Sequence, residues 1–556
     1  MPSPLLTALA AASLALAAPT AQWSVGQEVR TSSGVVRGHA APWPVGSDVS
    51  EYLGIPFAVP PLGPLRFAPP KALISNATVV ADKYGPDCLV AVDREAMAKA
   101  PQNPNLKGYH AGMGGITPHA SSEDCLTVNV WTKPQTGEKA KAVLLWIYGG
   151  GFSSGASNTP YYTGSRLAGE QDVVVVTFNY RINIFGFPLA PALTDANPGL
   201  LDQRLAVEWV RDNIASFGGD PKRITIFGES AGGASVDFHA YAWADDPIVA
   251  GYIAQSGTAR MGGRTTPRPA AELWYGVSAA VGCGDASVPN AAAASLECVR
   301  GKPAADVVKA VIKVSSGAVQ TAFGPQADGR TVFADTGARA ASGLFAKRPL
   351  LVGNTDNELS LNKAMAGVLG GAAPKGGKDT VGLPAGLPEA VANDAAFSCP
   401  AAQAAGYRRS AGVRSWRYRY MGEWENTSIG PGMGAYHSSE IPLVFGTTEI
   451  FNKEGIHGRD SGEEAGLSLV MRRAWAAFAK DPENGLGGLG WPVYDPASEY
   501  APYCLVWWAV MGCGLMKAAA SLVRLGYRNM SEPSFAPNAD YDGRCAMIAK
   551  GMGGVR

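Results

Sequence analysis

The chain lacks an excess of either charge, since lysine plus arginine and aspartate plus glutamate each number 47 among its 556 residues. Without a net positive field a protein has little attraction for a polyanion, so nucleic-acid binding is not expected. Charged residues are sparse as well, at 17% against roughly 25% in soluble proteins generally. The apolar fraction of 46% is ordinary, so the composition describes a globular protein with a modestly charged surface.

Metal-binding signatures are missing too. None of the eight cysteines forms a C-x-x-C pair and the six histidines are scattered, so no metal site is expected. The sequence also contains no internal repeat, which argues against a solenoid or a propeller.

Residues 1–21 contain no lysine or arginine, but their apolar stretch 5–18 is followed by small residues up to Ala21. This pattern predicts a secretory signal peptide over 1–21, which leaves 22–556 as a single domain of an extracellular protein. In such a protein eight cysteines can form up to four disulfides. The predicted N-glycosylation sites are Asn76, Asn426 and Asn529.

Continuous apolar runs predict strands that are buried on both faces of a parallel sheet, and the clearest helical pattern, 201–217, lies between two of them. Shorter strands near the N-terminus, separated by proline and glycine turns, predict an antiparallel start. The chain is therefore predicted to be an α/β protein with a large, mostly parallel sheet and helices on both faces. Segment 362–400, rich in glycine, alanine and proline, is predicted to be a loose cap. The predicted strands are 32–37, 51–57, 143–148, 173–180, 224–227, 349–352 and 415–421.

A glycine-flanked serine follows one of these strands directly. Ser230 lies in G-E-S-A-G after the run 224–227, with Gly228 and Gly232 on either side. A strand-to-helix turn this tight requires flanking residues that carry almost no side chain. It also holds the serine hydroxyl beside the first free N–H groups of the next helix, so the pattern predicts a nucleophile next to an anion site.

A serine nucleophile needs a base within hydrogen-bond reach, and the histidines after Ser230 are His239, His437 and His457. His239 falls in the predicted helix that follows the serine, where a packing role is expected. His437 lies in a glycine-rich loop that leads into an apolar segment, and it is the predicted base. His457 is the alternative.

A carboxylate must hold that base in the correct tautomer, and in this type of fold it precedes the histidine in the chain. The loop after the predicted strand 349–352 carries Asp356 and Glu358. Their spacing does not separate the two candidates.

The stretch W-I-Y-G-G-G-F, 146–152, places three glycines after a buried strand. A phosphate-binding loop would continue with Lys-Ser or Lys-Thr, which is missing here. The turn is therefore predicted to bring backbone N–H groups to an oxyanion.

Taken together, these residues resemble the cholinesterase and type-B carboxylesterase family of α/β-hydrolases, which includes secreted fungal lipases. The likeness covers nearly the whole mature chain and includes the motifs at 52–61, 122–130, 179–187 and 217–221. The resemblance implies a serine carboxylic-ester hydrolase that forms an acyl-enzyme, uses no cofactor, acts on a small-molecule ester and does not insert stably into a membrane.

The resemblance also implies roles for individual residues, with Ser230 as nucleophile and His437 as base. The family's glutamate lies five residues after the glycine that ends its strand, and counting from Gly353 gives Glu358. Leu359 follows where the family usually has glycine, so Asp356 stays open as the acid. The implied oxyanion donors are the amides of Gly150, Gly151 and Ala231. The implied disulfides are Cys88–Cys125, Cys283–Cys298 and Cys399–Cys545, which leaves Cys504 and Cys513.

Cholinesterases carry a tryptophan in their first disulfide loop that receives a quaternary ammonium group. Residues 89–124 contain no tryptophan, and they are more polar than the apolar lid of the lipases. We therefore expect a carboxylesterase for soluble or small esters, with a triacylglycerol lipase as the alternative. Some family members have lost the serine and serve as adhesion proteins, so a non-catalytic binding role is the other class considered.

The apolar stretch 503–516 fits neither its surroundings nor the family. It is shorter than the roughly 20 residues that a membrane-spanning helix needs. We interpret about twenty residues, 501–521, as an insertion that stems from a translated intron, with a surface-anchoring or packing helix as the alternative.

Overall fold

The computed structural model describes residues 23–91, 106–113, 120–260, 270–315, 323–368, 387–450, 458–496 and 521–551. The predicted signal peptide, His457, Cys504, Cys513, the insertion up to residue 520 and most of the first disulfide loop lie outside the described residues.

The strands of the described residues have these bounds, in chain order: β1 Val29–Thr31, β2 Gly34–Arg37, β3 His39–Ala40, β4 Ser50–Pro56, β5 Thr78–Val80, β6 Asp87–Cys88, β7 Ser121–Ser122, β8 Thr127–Thr132, β9 Lys141–Ile147, β10 Val174–Phe178, β11 Gly219–Glu229, β12 Gly251–Gln255, β13 Leu350–Thr355, β14 Ser415–Tyr420, β15 Leu522–Leu525 and β16 Ser534–Ala536.

The α-helices are α1 Lys107–Met113, α2 Ser165–Gln171, α3 Asn183–Gly186, α4 Pro198–Asn213, α5 Ala231–Ala242, α6 Ala270–Ala280, α7 Ala291–Arg300, α8 Ala304–Val314, α9 Thr336–Ala341, α10 Ser360–Val368, α11 Glu389–Asn393, α12 Cys399–Ser410, α13 Ile441–Phe445, α14 Gly462–Lys480, α15 Gly485–Gly488, α16 Ala539–Asp542 and α17 Cys545–Gly551. Short 3₁₀ turns cover Gly63–Leu65, Pro160–Tyr162, Ile214–Phe217 and Tyr527–Asn529, and a π-helical turn covers Asp394–Ser398.

An eleven-stranded sheet organises the molecule, in the order β16-β15-β14-β13-β12-β11-β9-β10-β8-β4-β3. The seven strands from β15 to β10 run parallel, whereas β8, β4, β3 and β16 pair antiparallel. The mostly parallel α/β sheet with an antiparallel start is thereby confirmed. The predicted strand 32–37 is an exception, because β2 belongs to a separate small sheet with β1 and β5.

The core lies on both faces of the main sheet. Every residue of β9 and β10 is buried. Since successive side chains in a strand point to opposite faces, both faces must be covered. Even Lys141 is fully buried at the start of β9, where its ammonium group pairs with Asp172.

The described parts of the predicted cap, 362–368 and 387–400, are mostly helical rather than loose. They contribute to α10, α11, the π-helical turn and the start of α12.

Three disulfides join Cys88 to Cys125, Cys283 to Cys298 and Cys399 to Cys545, the pairs that the resemblance implies. The last of them ties α17 to the start of α12, across 146 residues of sequence. None of the helices in the described ranges is long and apolar enough to cross a bilayer.

Candidate active site

The turn between β11 and α5 consists of one residue, Ser230. Its backbone has φ 57° and ψ −119°, a conformation that residues other than glycine rarely adopt. The N–H of Ser230 donates to the carbonyl of Gln255 in β12 at 2.9 Å, which helps to hold the turn. Ser230 is partly exposed, so the tight turn presents its hydroxyl at the end of the sheet.

Steric contacts explain why Gly228 and Gly232, two positions before and after Ser230, are glycines. A Cβ atom on Gly232 would lie 1.9 Å from the carbonyl oxygen of Ile147 in β9, and one on Gly228 would lie 2.6 Å from the same oxygen. Any larger residue at either position would push the turn off the neighbouring strand.

His437 and Glu358 are in direct contact, with 2.5 Å between His437 Nδ1 and Glu358 Oε2. Glu358 is buried, and its Oε1 accepts hydrogen bonds from Ser256 Oγ at 2.7 Å and from the N–H of Thr355 at 2.8 Å. The carboxylate is therefore fixed on three sides, which orients the imidazole.

Asp356, the other candidate acid, points elsewhere. Its carboxylate pairs with Arg419 Nε at 2.6 Å, and its side chain is 40% exposed. The contacts therefore separate the two carboxylates that the sequence left open.

The other ring nitrogen of His437, Nε2, faces Glu229, for which the sequence analysis predicted no role. His437 Nε2 lies 3.1 Å from Glu229 Oε1, and no hydrogen bond joins it to Ser230 Oγ. Glu229 is buried and directly precedes Ser230. Its position next to Ser230 in G-E-S-A-G was the available signal, although the sequence does not show which way its side chain points.

A third buried carboxylate, that of Glu440 directly before α13, also lies near this centre. Its Oε1 accepts a hydrogen bond from Gln255 Nε2 at 3.0 Å, and Gln255 Oε1 accepts one from Trp475 Nε1 at 2.9 Å. No local pattern in the sequence indicates this chain of contacts, because its members lie on three separate elements.

The carboxylates change the proton affinity of the site. Burial opposes charge on His437, but Glu229 and Glu358 outweigh it and raise the pKa of His437 to about 9. Burial also raises the pKa of Glu229 to about 7, and burial together with Glu229 raises the pKa of Glu440 to about 8. An imidazolium is therefore favoured between Glu229 and Glu358.

Two ring contacts involve His437 and the residue before it. Phe397, on the π-helical turn, lies with its ring centre 5.3 Å from that of His437. Tyr109 of α1 packs against Tyr436, the residue before the base, with the ring centres 6.1 Å apart. Since α1 belongs to the Cys88–Cys125 loop, the described part of that loop reaches the site.

The glycine turn after β9 packs against Ser230. A Cβ atom on Gly149 would lie 2.9 Å from Ser230 Cβ. Gly150 and Gly151 follow with φ values of 102° and 63°, and Ala231 begins α5, whose first N–H groups have no partner within the helix. The three residues expected to donate to an oxyanion thus lie on two turns that meet at Ser230.

His239 has a packing role, as its predicted place in a helix suggested. It is buried in α5, with Nδ1 3.3 Å from Tyr252 Oη and its ring centre 4.7 Å from that of Trp243. Burial lowers the pKa of His239 to about 3, so the ring is neutral. Within the described ranges no three acidic, histidine or cysteine side chains form a group that could hold a metal ion.

The three glycosylation sequons differ in their surroundings. Asn76 is exposed on the loop before β5. Asn426 is partly buried, and its Nδ2 donates to Asp460 Oδ1 at 3.0 Å. Asn529 is exposed, but its side chain pairs with both backbone groups of Glu423, at 2.6 and 2.9 Å.

Comparison with known proteins identifies relatives along most of the chain. The sequence model described as the carboxylesterase family matches residues 25–368 and 388–505. A chlorogenic acid esterase of Aspergillus niger is 34% identical, over 82% of this chain and 83% of its own. The secreted lipase 5 of Gibberella zeae is 35% identical, over 81% and 85%. A fumonisin B1 esterase of Sphingopyxis macrogoltabida is 32% identical, over 84% and 85%.

Proposed function

The chain belongs to the carboxylesterase family, and we propose that it hydrolyses carboxylic esters through a Ser230–His437–Glu358 triad and an acyl-enzyme. Carboxylesterase activity as such follows from the family and from its esterase relatives. The observation that carries the triad is the contact of His437 with the buried Glu358, next to a serine on a strained turn.

In the proposed reaction, Ser230 Oγ attacks the ester carbonyl while His437 Nε2 accepts its proton. Glu358 accepts the hydrogen bond of Nδ1–H and stabilises the imidazolium. The imidazolium then gives the proton to the departing alcohol, which leaves an acylated Ser230. Water gives a proton to His437 and attacks this acyl group, and the imidazolium then returns the proton to Ser230 Oγ as the acid leaves. Nε2 must turn from Glu229 towards Ser230 for the first step.

The negative charge on the carbonyl oxygen needs preorganised donors, and we assign them to the amides of Gly150, Gly151 and Ala231. The meeting of the glycine turn with the start of α5 beside Ser230 supports this assignment. Loss of one such donor typically costs about 3 kcal/mol of transition-state stabilisation.

Soluble or small esters are the proposed substrates, because residues 89–124 are polar and lack tryptophan. The alternative is a lipase, which the secreted lipase among the relatives supports. A panel of esters graded by acyl length, with a hydroxycinnamate ester and an emulsified triacylglycerol added, separates the two. Turnover that appears only above the solubility limit of the ester would favour the lipase.

We also propose that residues 1–21 direct secretion and that 22–556 form one domain. The three disulfides support this, because such bonds persist in oxidising compartments. Sequencing the N-terminus of the protein from the culture medium tests it.

The direct test of the catalytic proposal is a serine-reactive fluorophosphonate probe. It should label the wild-type protein at Ser230 and abolish ester hydrolysis. If the probe leaves Ser230 unlabelled and the protein still hydrolyses esters, the proposed triad is wrong. A protein that neither reacts with the probe nor hydrolyses esters would favour a binding role.

A further inference from the structure

Ser438, the residue after the proposed base, contacts the carboxylate beside the nucleophile. Its Oγ donates to Glu229 Oε1 at 2.7 Å, and the same oxygen lies 3.1 Å from His437 Nε2. Both Ser438 and Glu229 are buried. The serine hydroxyl and the imidazole therefore meet at a single carboxylate oxygen.

The backbone of Ser438 supports a role for this hydroxyl. Its φ is 76°, in the left-handed region that glycine adopts freely and that other residues rarely adopt. Glycine would suit the backbone better but could not donate to Glu229. Strained residues of this kind cluster at functional sites, where the surrounding structure maintains them.

The hydroxyl of Ser438 affects the ionisation of Glu229. A buried carboxylate without a donor tends to take up a proton, whereas a hydrogen bond to its charged form keeps it ionised. An ionised Glu229 attracts the imidazolium that forms when His437 takes the proton of Ser230. A protonated Glu229 is neutral and would not attract the imidazolium.

We propose that Ser438 is a positioning residue for ester hydrolysis, whose hydroxyl favours the ionised form of Glu229 and orients it beside His437, so that Glu229 stabilises the imidazolium formed during acyl transfer. This inference rests on the proposed triad and adds a residue that acts on the base through Glu229.

Other titratable groups also face this pair, but their partners are different. Glu358 is fixed by Ser256 and Thr355, and Glu440 by Gln255. The phenols stay neutral, because burial raises the pKa of each. The groups that interact with Glu229 or His437 are Glu358, Glu440, Tyr109, Tyr162 and Tyr418. Ser438 thus offers a donor to Glu229 that can be removed without touching the triad.

Two variants test the proposal with a soluble ester as substrate. Ser438→Ala removes the hydroxyl, and Ser438→Gly removes it while relieving the backbone. Each should lower kcat about tenfold, as expected for the loss of one hydrogen bond to a charged group, with little change in KM. Each should also move the acid limb of kcat/KM to lower pH, because a proton taken up by Glu229 leaves His437 neutral.

Ser439→Ala is the matched control, because it removes a neighbouring buried hydroxyl that has no hydrogen-bond partner. Its kcat and pH profile should stay at the wild-type values. In a Glu229→Gln background, Ser438→Gly should cause no further change. A Ser438→Gly variant with wild-type kcat and an unmoved acid limb would overturn the proposal, as would an equal loss in the Glu229→Gln background. Probe labelling of Ser230 reports on the triad independently of either result.

Discussion

Ser521 Oγ donates a hydrogen bond to the carbonyl oxygen of Asp495 at 3.0 Å, across 26 positions of sequence. Asn538 Nδ2 donates to the same carbonyl at 2.5 Å. Since Ser521 directly precedes β15, Asp495 lies next to the start of that strand. Asp495 and Ser521, which flank the predicted insertion, therefore lie in contact with each other. A chain that joins Glu499 to Leu522 would have four residues to bridge a gap that a few extended residues can span.

The first prediction is that the native secreted protein lacks the inserted residues. Trypsin cuts after Lys480, Lys517 and Arg524, and no lysine or arginine lies between 481 and 516. The translated-intron hypothesis predicts a tryptic peptide that begins at Asp481, passes from near Glu499 to Leu522 and ends at Arg524. Mass spectrometry of the secreted protein decides, since a peptide 481–517 would refute it.

Two recombinant proteins, the full chain and a variant that lacks 500–520, provide the control for that experiment. A variant lacking 500–520 keeps Ser521 and all of β15, so it should fold with the melting temperature and esterase activity of the shorter native protein. A deletion that prevents folding would show that the segment belongs to the structure.

The second prediction concerns the nucleophile and base. Ser230→Ala and His437→Ala should each reduce ester hydrolysis by about 10³-fold or more, because each removes a step that no neighbouring group replaces. The melting temperature and circular dichroism should stay close to wild type. Near-wild-type turnover in either variant would contradict the mechanism.

The third prediction uses two carboxylates on the same loop as a matched pair. Glu358→Gln should lower kcat by about 10³-fold to 10⁴-fold, since an amide cannot hold the productive imidazole tautomer. Asp356→Asn breaks only a partly exposed ion pair with Arg419, so its kcat should stay within about threefold of wild type. The reverse ranking would assign the acid role to Asp356.

The fourth prediction concerns pH. His437 must be neutral to accept a proton, and its raised pKa places the acid limb of kcat/KM above the ordinary value of 6.5. Glu229→Gln removes a negative charge that favours the imidazolium, so the pKa of His437 should fall and the acid limb should move to lower pH. The limb should not move in Asp356→Asn, whose charge is paired elsewhere. An acid limb that is the same in Glu229→Gln and wild type would contradict the contact.

The fifth prediction concerns glycosylation. Asn76 is exposed, whereas a glycan on Asn426 would have to displace Asp460. Treatment of the secreted protein with a peptide N-glycosidase should lower its mass, and Asn76→Gln should remove most of that change. Asn426→Gln should leave the change intact. A glycan found on Asn426 and missing from Asn76 would contradict this reading.

The nucleophile turn could be predicted because its constraints are local. The pattern G-E-S-A-G directly after an apolar run is visible in the sequence, although the close approach of Gly228 and Gly232 to Ile147 is visible only in the fold. His437 was predicted as the base from its order in the chain and its loop. Spacing does not separate Glu358 from Asp356, and the family resemblance favoured Glu358. In the structure the two side chains point in different directions, and Glu358 is the one that contacts His437.

Other features depended on contacts between distant segments. Glu229 was visible in the sequence, but its role depends on which way its carboxylate turns within the site. The π-helical turn that carries Phe397 lies in a segment without periodicity, and Asp394 within it pairs with Arg544 at 2.7 Å, from the far end of the chain. No local pattern reports such a pairing.

The backbone conformation of Ser230 lowers the stability of the fold, although the proposed reaction needs this residue. A residue other than glycine in such a conformation costs about 1 to 3 kcal/mol, which the rest of the fold must offset. Glycine at position 230 would relax the turn and end the reaction together. A search for heat-resistant forms of this protein that selected for folding alone would therefore favour loss of the nucleophile, so stabilising substitutions have to be sought away from this turn.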